Sequence, residues 1–153
     1  MEKKPTHEQA RLQLELFDLR REGRMRQARD WFMKNYFVDS FEDAMKLAQP
    51  GSESGTNVMM VISYWEQVCS MLNYGLLHEE LFFHNNGEFF MVWERVKPMV
   101  GGFRQMFAAK HFLGDLETAA KRYEKWIEKT NPGHLAKMRE FVKQMRANMK
   151  AAA

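Results

Sequence analysis

Histidine pairs are the first residues in this sequence whose spacing could support chemistry, because two imidazoles on one helix face can hold a metal ion. The segment HEELFFH places His78 and His84 six positions apart. On an α-helix with about 3.6 residues per turn, this spacing leaves the two rings about 120° apart, whereas helical zinc motifs use a spacing of four. No two of the five histidines stand three to five positions apart. The sequence therefore predicts no metal site.

The single cysteine is a candidate nucleophile. Cys69 would need a histidine brought near it by folding, such as His78 or His111, to lower the pKa of its thiol. It stands within the apolar segment 58–72, where a lone cysteine most often packs as a small hydrophobic residue. Burial there would raise the thiol pKa and leave the group unreactive. We therefore expect Cys69 to be structural.

Glu66 is an acidic side chain in the same apolar segment, next to Trp65, where an unpaired carboxylate would be costly to bury. We expect Arg104 or Arg95 to pair with it, either as a structural ion pair or as part of a site with a shifted pKa. If the pair is buried, Glu66→Ala should destabilise the protein by several kcal/mol. An enzyme whose site is assembled around Glu66 from residues distant in the sequence stays open as an alternative.

Basic residues concentrate towards both ends of the sequence. Residues 1–37 carry a formal net charge of +3 and residues 132–153 carry +4, whereas residues 38–131 carry −4. The densest cluster comprises Arg20, Arg21, Arg24, Arg26 and Arg29. Acidic residues are interleaved with it, and no helix-turn-helix, zinc-finger or RNA-binding aromatic pattern accompanies it. The sequence argues against specific nucleic-acid recognition and leaves weak, salt-dependent binding of nucleic acid or other anions through the basic ends as an alternative.

The elements that would position these side chains are predicted to be helices, because apolar residues recur at spacings of three and four and no stretch alternates like a strand. We predict an all-α single domain over 1–153, an irregular bundle of about seven to nine helices around a buried central helix. That central helix should begin at Thr56 or Asn57. The Gly, Ser and Pro residues before it predict a flexible loop at 51–56. Residues 151–153 are predicted to form a disordered tail.

Local signals place other helix boundaries. Thr6, with Gln9 three residues later, matches a capping box at the start of the first helix. Pro98 and the pair Gly101–Gly102 predict a kink or break, because proline lacks an N–H and glycine weakens a helix. A separate short helix is then expected at 103–112.

The last predicted helix, from Pro132 to about Lys150, carries a narrow apolar stripe. Its members are Leu135, Met138, Val142, Met145 and Met149. Lysine and arginine side chains crowd the rest of its surface. Such a helix either completes the core of its own domain or docks on a partner through the same face. We single it out as the candidate surface for a protein partner or for self-association.

Four short segments in the middle of the chain are Tyr64–Trp65–Glu66, GLLHEELF at 75–82, WERVKP at 93–98, and Arg104. Together they resemble an uncharacterised bacterial family of helical domains of unknown function. The resemblance runs roughly from Val58 to Trp126. It implies a helical fold and supplies no catalytic residue.

The leading interpretation is a non-catalytic cytoplasmic domain that binds another protein or a second copy of itself. The polar start MEKKPTHEQ does not match a signal peptide. The apolar run 58–72 is shorter than the roughly 20 residues of a membrane-crossing helix. We therefore expect no membrane segment, no metal and no cofactor.

Overall fold

The computed structural model describes residues 4–153, which contain eight α-helices. They are α1 (His7–Arg20), α2 (Gly23–Asn35), α3 (Phe41–Leu47), α4 (Glu53–Asn73), α5 (Glu79–Asn85), α6 (Glu88–Met106), α7 (Gly114–Thr130) and α8 (His134–Ala151). Turns connect them, and these residues contain no strand. The all-α prediction is confirmed, and the number of helices lies within the predicted range.

The central helix of the bundle is α4, which packs mainly on α2 and α7 and also contacts α6. Its buried apolar side chains are Val58, Val61, Ile62, Trp65, Val68, Cys69 and Leu72. Ser63 and Gln67 remain exposed on the narrow polar side of the helix. The prediction of a buried central helix is therefore confirmed.

The start of α4 differs from the prediction, because the proposed flexible loop at 51–56 is helical from Glu53 onwards. The hydroxyl of Ser52 accepts a hydrogen bond from the Gly55 N–H at 3.0 Å and donates one to the Gln49 carbonyl at 2.6 Å. A Cβ on Gly55 would lie only 2.1 Å from the Gln49 oxygen. The Ser and Gly residues that suggested a loop therefore form an N-cap and allow a close backbone approach.

The structure shows α6 as one helix, so of the predicted kink or break at Pro98 and Gly101–Gly102 the break is wrong, and so is the separate helix at 103–112. A proline removes one hydrogen bond from a helix, and packing on both sides can hold the helix together across that gap. Gly102 has a packing role, because a Cβ there would lie 2.4 Å from the Cβ of Phe41. The glycine thus lets α3 and α6 approach closely.

Two helix ends can be compared with the prediction. The capping box at Thr6 is confirmed: its hydroxyl accepts from the Gln9 N–H at 3.1 Å, and the Gln9 side chain accepts from the Thr6 N–H at 3.0 Å. At the other end α8 continues through Ala151, so the first residue of the predicted tail is helical.

An aromatic cluster joins α5, α6 and α7. The Phe83 ring stacks on Phe89, with centroids 6.1 Å apart, and meets Tyr123 edge to face at 5.2 Å. Trp65 of α4 contacts the same cluster through Phe89. These contacts fix the N-terminal end of α6, which carries Glu88.

Candidate functional site

Glu66 of α4 is half-buried, and its side chain contacts the N-terminus of α7. Its two carboxylate oxygens accept hydrogen bonds from the backbone N–H groups of Asp115, at 3.1 Å, and Leu116, at 2.8 Å. Burial raises the pKa of Glu66, although these bonds lower it in part. The predicted ion pair with Arg104 or Arg95 is wrong, because the free N–H groups at a helix start satisfy a carboxylate without a cationic side chain.

Arg104 binds the turn that leads into α7 instead. Its guanidinium donates to the Phe112 carbonyl at 2.9 and 2.8 Å and to the Glu117 carboxylate at 2.9 Å. Lys121 also donates to Glu117, at 2.7 Å. The bonds from Lys121 and Arg104 lower the pKa of Glu117. Arg104 therefore fixes the α6–α7 connection.

Arg95 is buried against the C-terminal turn of α2. Its Nη1 donates to the carbonyls of Phe32, at 3.1 Å, and Met33, at 2.8 Å, and its guanidinium carbon lies 4.3 Å from the centre of the Phe37 ring. Its Nε has no hydrogen-bond partner among the described residues. Burial lowers the pKa of Arg95 to about 10. This guanidinium thus stays protonated near neutral pH, and no carboxylate of residues 4–153 forms an ion pair with it.

Glu88, which the sequence analysis did not single out, is the carboxylate that binds the buried Arg20 and the half-buried Arg29. Arg29 donates to its two oxygens at 2.8 and 2.5 Å, Arg20 lies 3.6 Å from it, and the Trp65 indole N–H lies 3.4 Å away. The Arg20 guanidinium also lies 5.4 Å from the centre of the Trp65 ring. We call these four residues the Glu88 cluster. In it, two arginines share one carboxylate.

The fold divides the arginine cluster that the sequence analysis identified. Arg20 and Arg29 turn towards Glu88, whereas Arg21 and Arg26 are exposed on the surface. One signal in the sequence could have pointed to Glu88 as a partner for these arginines. It stands in the first turn of a predicted helix and is one of the few acidic residues near an aromatic stretch. Spacing along the chain does not bring it to Arg29, which is 59 residues away.

Cys69 is fully buried in α4, and burial raises the pKa of its thiol well above the usual value. Across residues 4–153, no group of three or more His, Cys, Asp or Glu side chains is placed to hold a metal ion. None of the helices described here is both long and apolar enough to cross a membrane.

The C-terminal helix packs mainly on α7 with part of its predicted stripe. Leu135 is buried, and Met138 and Val142 are half-buried. A cleft of about 480 Å³ remains between this side of α8 and α6. Its apolar lining consists chiefly of Phe37, Val38, Phe90, Met91, Leu135, Met138 and Val142. We call it the α6–α8 cleft; Arg95 also lines it.

Two arginines hold α8 against the domain. Arg139 donates to Glu94 at 2.9 Å and to Glu124 at 2.7 Å. Arg146 forms two bonds to the Asp39 carboxylate, at 2.7 and 2.8 Å. Burial raises the pKa of Glu94, but the bonds from Arg139 and Lys97 outweigh it and the net shift is downward. These contacts place basic residues of α8 opposite acidic residues of the domain.

Beyond the cleft, α8 carries apolar residues that do not reach the core. Phe141 is 60% exposed, Met149 is 39% exposed, and Met145 is half-buried. These three line a shallow surface depression together with Gln144 and Asn148. We call these five residues the outer α8 face. The sequence stripe thus divides: Leu135, Met138 and Val142 line the cleft, and Met145 and Met149 line the outer face.

Comparisons with known proteins add a family to this description. No curated protein and no solved structure matches the chain. A family model matches residues 5–126, which include Glu66, Glu88, Arg95 and Arg104, whereas α8 lies beyond the match. The match covers most of the chain, so this protein belongs to the family DUF4760, a domain of unknown function.

Proposed function

We propose that this protein is a non-catalytic domain of the bacterial cytoplasm that binds another protein through the outer α8 face. The observation that carries the proposal is the exposure of Phe141 and Met149 on a helix that already packs on the domain through Leu135. Apolar side chains at helical spacing, exposed together, are typical of surfaces that bind a partner helix.

The charges around this face favour an acidic amphipathic helix as the partner. Lys137 stands one helical turn before Phe141, is exposed and forms no ion pair within residues 4–153. Glu140 is the single acidic residue of α8. Two copies of α8 would bring like charges together, whereas an acidic helix would neutralise them. A second copy of the chain is therefore the less favoured occupant.

The remaining candidate groups support binding over catalysis. The oxygens of Glu66 already accept two backbone N–H groups, which is the behaviour of a structural carboxylate. The thiol of Cys69 is buried, and its raised pKa opposes formation of the reactive thiolate. A lone cysteine without a disulfide is also compatible with a reducing cytoplasm.

The proposal can be tested with a synthetic acidic amphipathic peptide, matched in length to α8, with leucine on one face and glutamate on the other. Fluorescence anisotropy should show binding to the full chain. The double variant Phe141→Ser, Met149→Ser should bind about tenfold or more weakly, because it removes two apolar contacts. Sedimentation equilibrium of the protein without peptide tests whether a second copy of the chain binds the outer α8 face instead.

A matched control is Leu14→Ser, which removes another apolar side chain, 69% exposed, from α1. It should bind the peptide like the wild type. A peptide with lysine in place of glutamate should not bind. If both peptides bind equally, or if the double variant binds like the wild type, the outer α8 face is not the partner surface. If the wild type forms dimers and the double variant does not, the partner at the outer α8 face is a second copy of the chain and not an acidic helix.

A further inference from the structure

We propose that the α6–α8 cleft binds a small amphipathic anion, an apolar chain ending in a carboxylate or phosphate, with Arg95 as the group that pairs with the anionic end. This site is a cleft between α6 and α8 and is separate from the outer α8 face. Different side chains of α8 serve the two surfaces, so each proposal can fail without the other.

The size and lining of the cleft fit an apolar chain. Its volume of about 480 Å³ falls within the range of about 300–1,000 Å³ that is usual for small-molecule sites. Phe90 and Met91 of α6 form one wall, and Met138 and Val142 of α8 form the other. Such pockets combine predominantly apolar walls with a few polar groups that fix the orientation of the ligand.

Arg95 provides the polar group. The residue is only 8% exposed, and it keeps its positive charge near neutral pH because its lowered pKa is still about 10. A buried charge is unfavourable unless another group compensates it. The carbonyls of Phe32 and Met33 occupy Nη1, and the Phe37 ring covers one face of the guanidinium. The Nε–H also has no acceptor but is sealed from solvent, whereas Nη2 has no hydrogen bond within residues 4–153 and is the nitrogen open to a ligand.

The other charges of the cleft increase its attraction for an anion. The lining contains four cationic side chains, Arg95, Arg139, Lys143 and Arg146, and two carboxylates, Asp39 and Glu94. Both carboxylates already accept hydrogen bonds from arginines of α8. Arg146 also lies over the Phe37 ring, 5.9 Å from its centre, so two guanidinium groups are neighbours on one aromatic side chain. An anionic end group would find an excess of positive charge there.

The proposal can be tested by isothermal titration calorimetry of the full chain with decanoate, decyl phosphate and decanol, each below its aggregation concentration. We expect one-to-one binding of an anionic ligand that is about tenfold tighter than that of decanol, because a charged hydrogen bond is added. The tighter of decanoate and decyl phosphate identifies the preferred end group. Equal binding of decanol and both anions, or no binding of any of them, would overturn the proposal.

Two variants at neighbouring positions locate the ligand. Val142→Trp fills the cleft from α8 and should weaken decanoate binding about tenfold or more, because the apolar chain loses its space. Phe141→Trp changes the next residue, on the outer α8 face, and should bind decanoate like the wild type. Decanoate binding that Val142→Trp leaves unchanged would place the ligand elsewhere and refute the proposal.

Arg95→Met then tests the charge. This variant should bind decanoate and decanol with similar affinity, because it keeps the apolar walls and removes the cation. Arg95 also binds two carbonyls of α2, so circular dichroism must first show that the variant is folded. If it does not fold, the comparison of end groups on the wild type and the effect of Val142→Trp still decide the proposal. A folded Arg95→Met that keeps the full preference for decanoate would contradict the role of Arg95.

Discussion

The Glu88 cluster and the α6–α8 cleft bury arginine side chains to nearly the same depth but treat their charges differently. Arg20 is 9% exposed and lies beside Glu88, which also accepts two bonds from Arg29. Arg95 is 8% exposed and has only carbonyls and an aromatic ring around it. The first region contains its own counter-charge, and the second does not.

This difference shows why burial of a charged residue does not by itself indicate a site. The Glu88 cluster joins α1, α2, α4 and α6, and its carboxylate balances much of the arginine charge, so it serves the fold. Arg95 also serves the fold through its bonds to α2, but its charge remains unbalanced beside an apolar cleft. The informative observation is the missing carboxylate, because an unbalanced buried charge favours an anionic ligand.

The largest effect is expected from Glu88→Ala. This change leaves the buried Arg20 and the half-buried Arg29 without their carboxylate, and because breaking a fully buried ion pair costs about 3–5 kcal/mol, we expect a loss of about 3 kcal/mol here. Urea denaturation should show this loss in the free energy of unfolding. The control Glu15→Ala removes an exposed ion pair to Arg11 and should cost less than about 1 kcal/mol. Equal effects of the two variants would remove the distinction between the cluster and an ordinary surface pair.

Arg95→Met should destabilise the protein less than Glu88→Ala does. The change removes hydrogen bonds to two carbonyls but leaves no buried carboxylate without a partner, so we expect a loss of about 2 kcal/mol. Urea denaturation of both variants under one set of conditions gives the order. If Arg95→Met lowers the free energy of unfolding more than Glu88→Ala does, the hydrogen bonds of Arg95 to α2 outweigh the cost of burying its unbalanced charge. The contrast between the two regions would then be wrong.

Glu66 supplies a third arrangement, a carboxylate held by backbone N–H groups, and Glu66→Gln should cost about 1 kcal/mol, as the loss of a helix cap does. This replaces the several kcal/mol expected when Glu66 was predicted to pair with an arginine. The same small loss is expected for Glu66→Ala. A loss of several kcal/mol in urea denaturation would show that the carboxylate has a cationic partner after all.

The pH dependence of Glu66 follows from its raised pKa. The folded protein keeps the Glu66 proton to a higher pH than the unfolded chain, so the wild type loses stability as the pH rises above the usual carboxyl pKa of 4.5. The Gln side chain does not titrate. The wild type should therefore be more stable relative to Glu66→Gln at about pH 4 than at about pH 7. A difference that grows with pH would mean that the N–H bonds outweigh burial.

The sequence predicted the helices better than it predicted the partners of the charged residues, and the reason is physical. Helix formation follows apolar spacing and caps such as Thr6 with Gln9, which involve residues close in the chain. The partner of Arg29 is 59 residues away, and that of Glu66 is a backbone N–H 49 residues away. The type of a residue does not indicate whether its carboxylate will accept hydrogen bonds from the N–H groups at a helix N-terminus or from a guanidinium group.

The same limit explains the errors at glycine. Gly102 and Gly55 were interpreted as signs of a break and of a loop. Instead, Gly102 permits the close approach of α3 to α6, and Gly55 permits the close approach of the preceding turn to the start of α4. A glycine can mark a break or loop, or it can allow another segment to approach closely, because it has no side chain. Only the neighbouring element shows which of the two applies.

The smallest effect on overall stability is expected from Arg139→Gln with Arg146→Gln, which removes the ion pairs that hold α8 as one wall of the cleft. All three pairs, of Arg139 with Glu94 and Glu124 and of Arg146 with Asp39, are partly exposed, so together they should change the free energy of unfolding by about 1 kcal/mol or less. Only Leu135 of α8 is buried, so local opening of this helix should become easier. Native-state hydrogen exchange should show faster exchange of the α8 amides and unchanged exchange in α4.

The control for this variant is Arg11→Gln, which removes an exposed ion pair on α1 and should leave α8 exchange unchanged. If the double variant leaves α8 protected, the apolar contacts of Leu135, Met138 and Val142 hold the helix without the arginines. If α8 instead exchanges together with α4 in the wild type, both belong to one cooperative unit. Faster exchange confined to α8 would show that the region around the Glu88 cluster stays closed while the α8 wall of the cleft opens locally. Such opening gives a ligand access to Arg95.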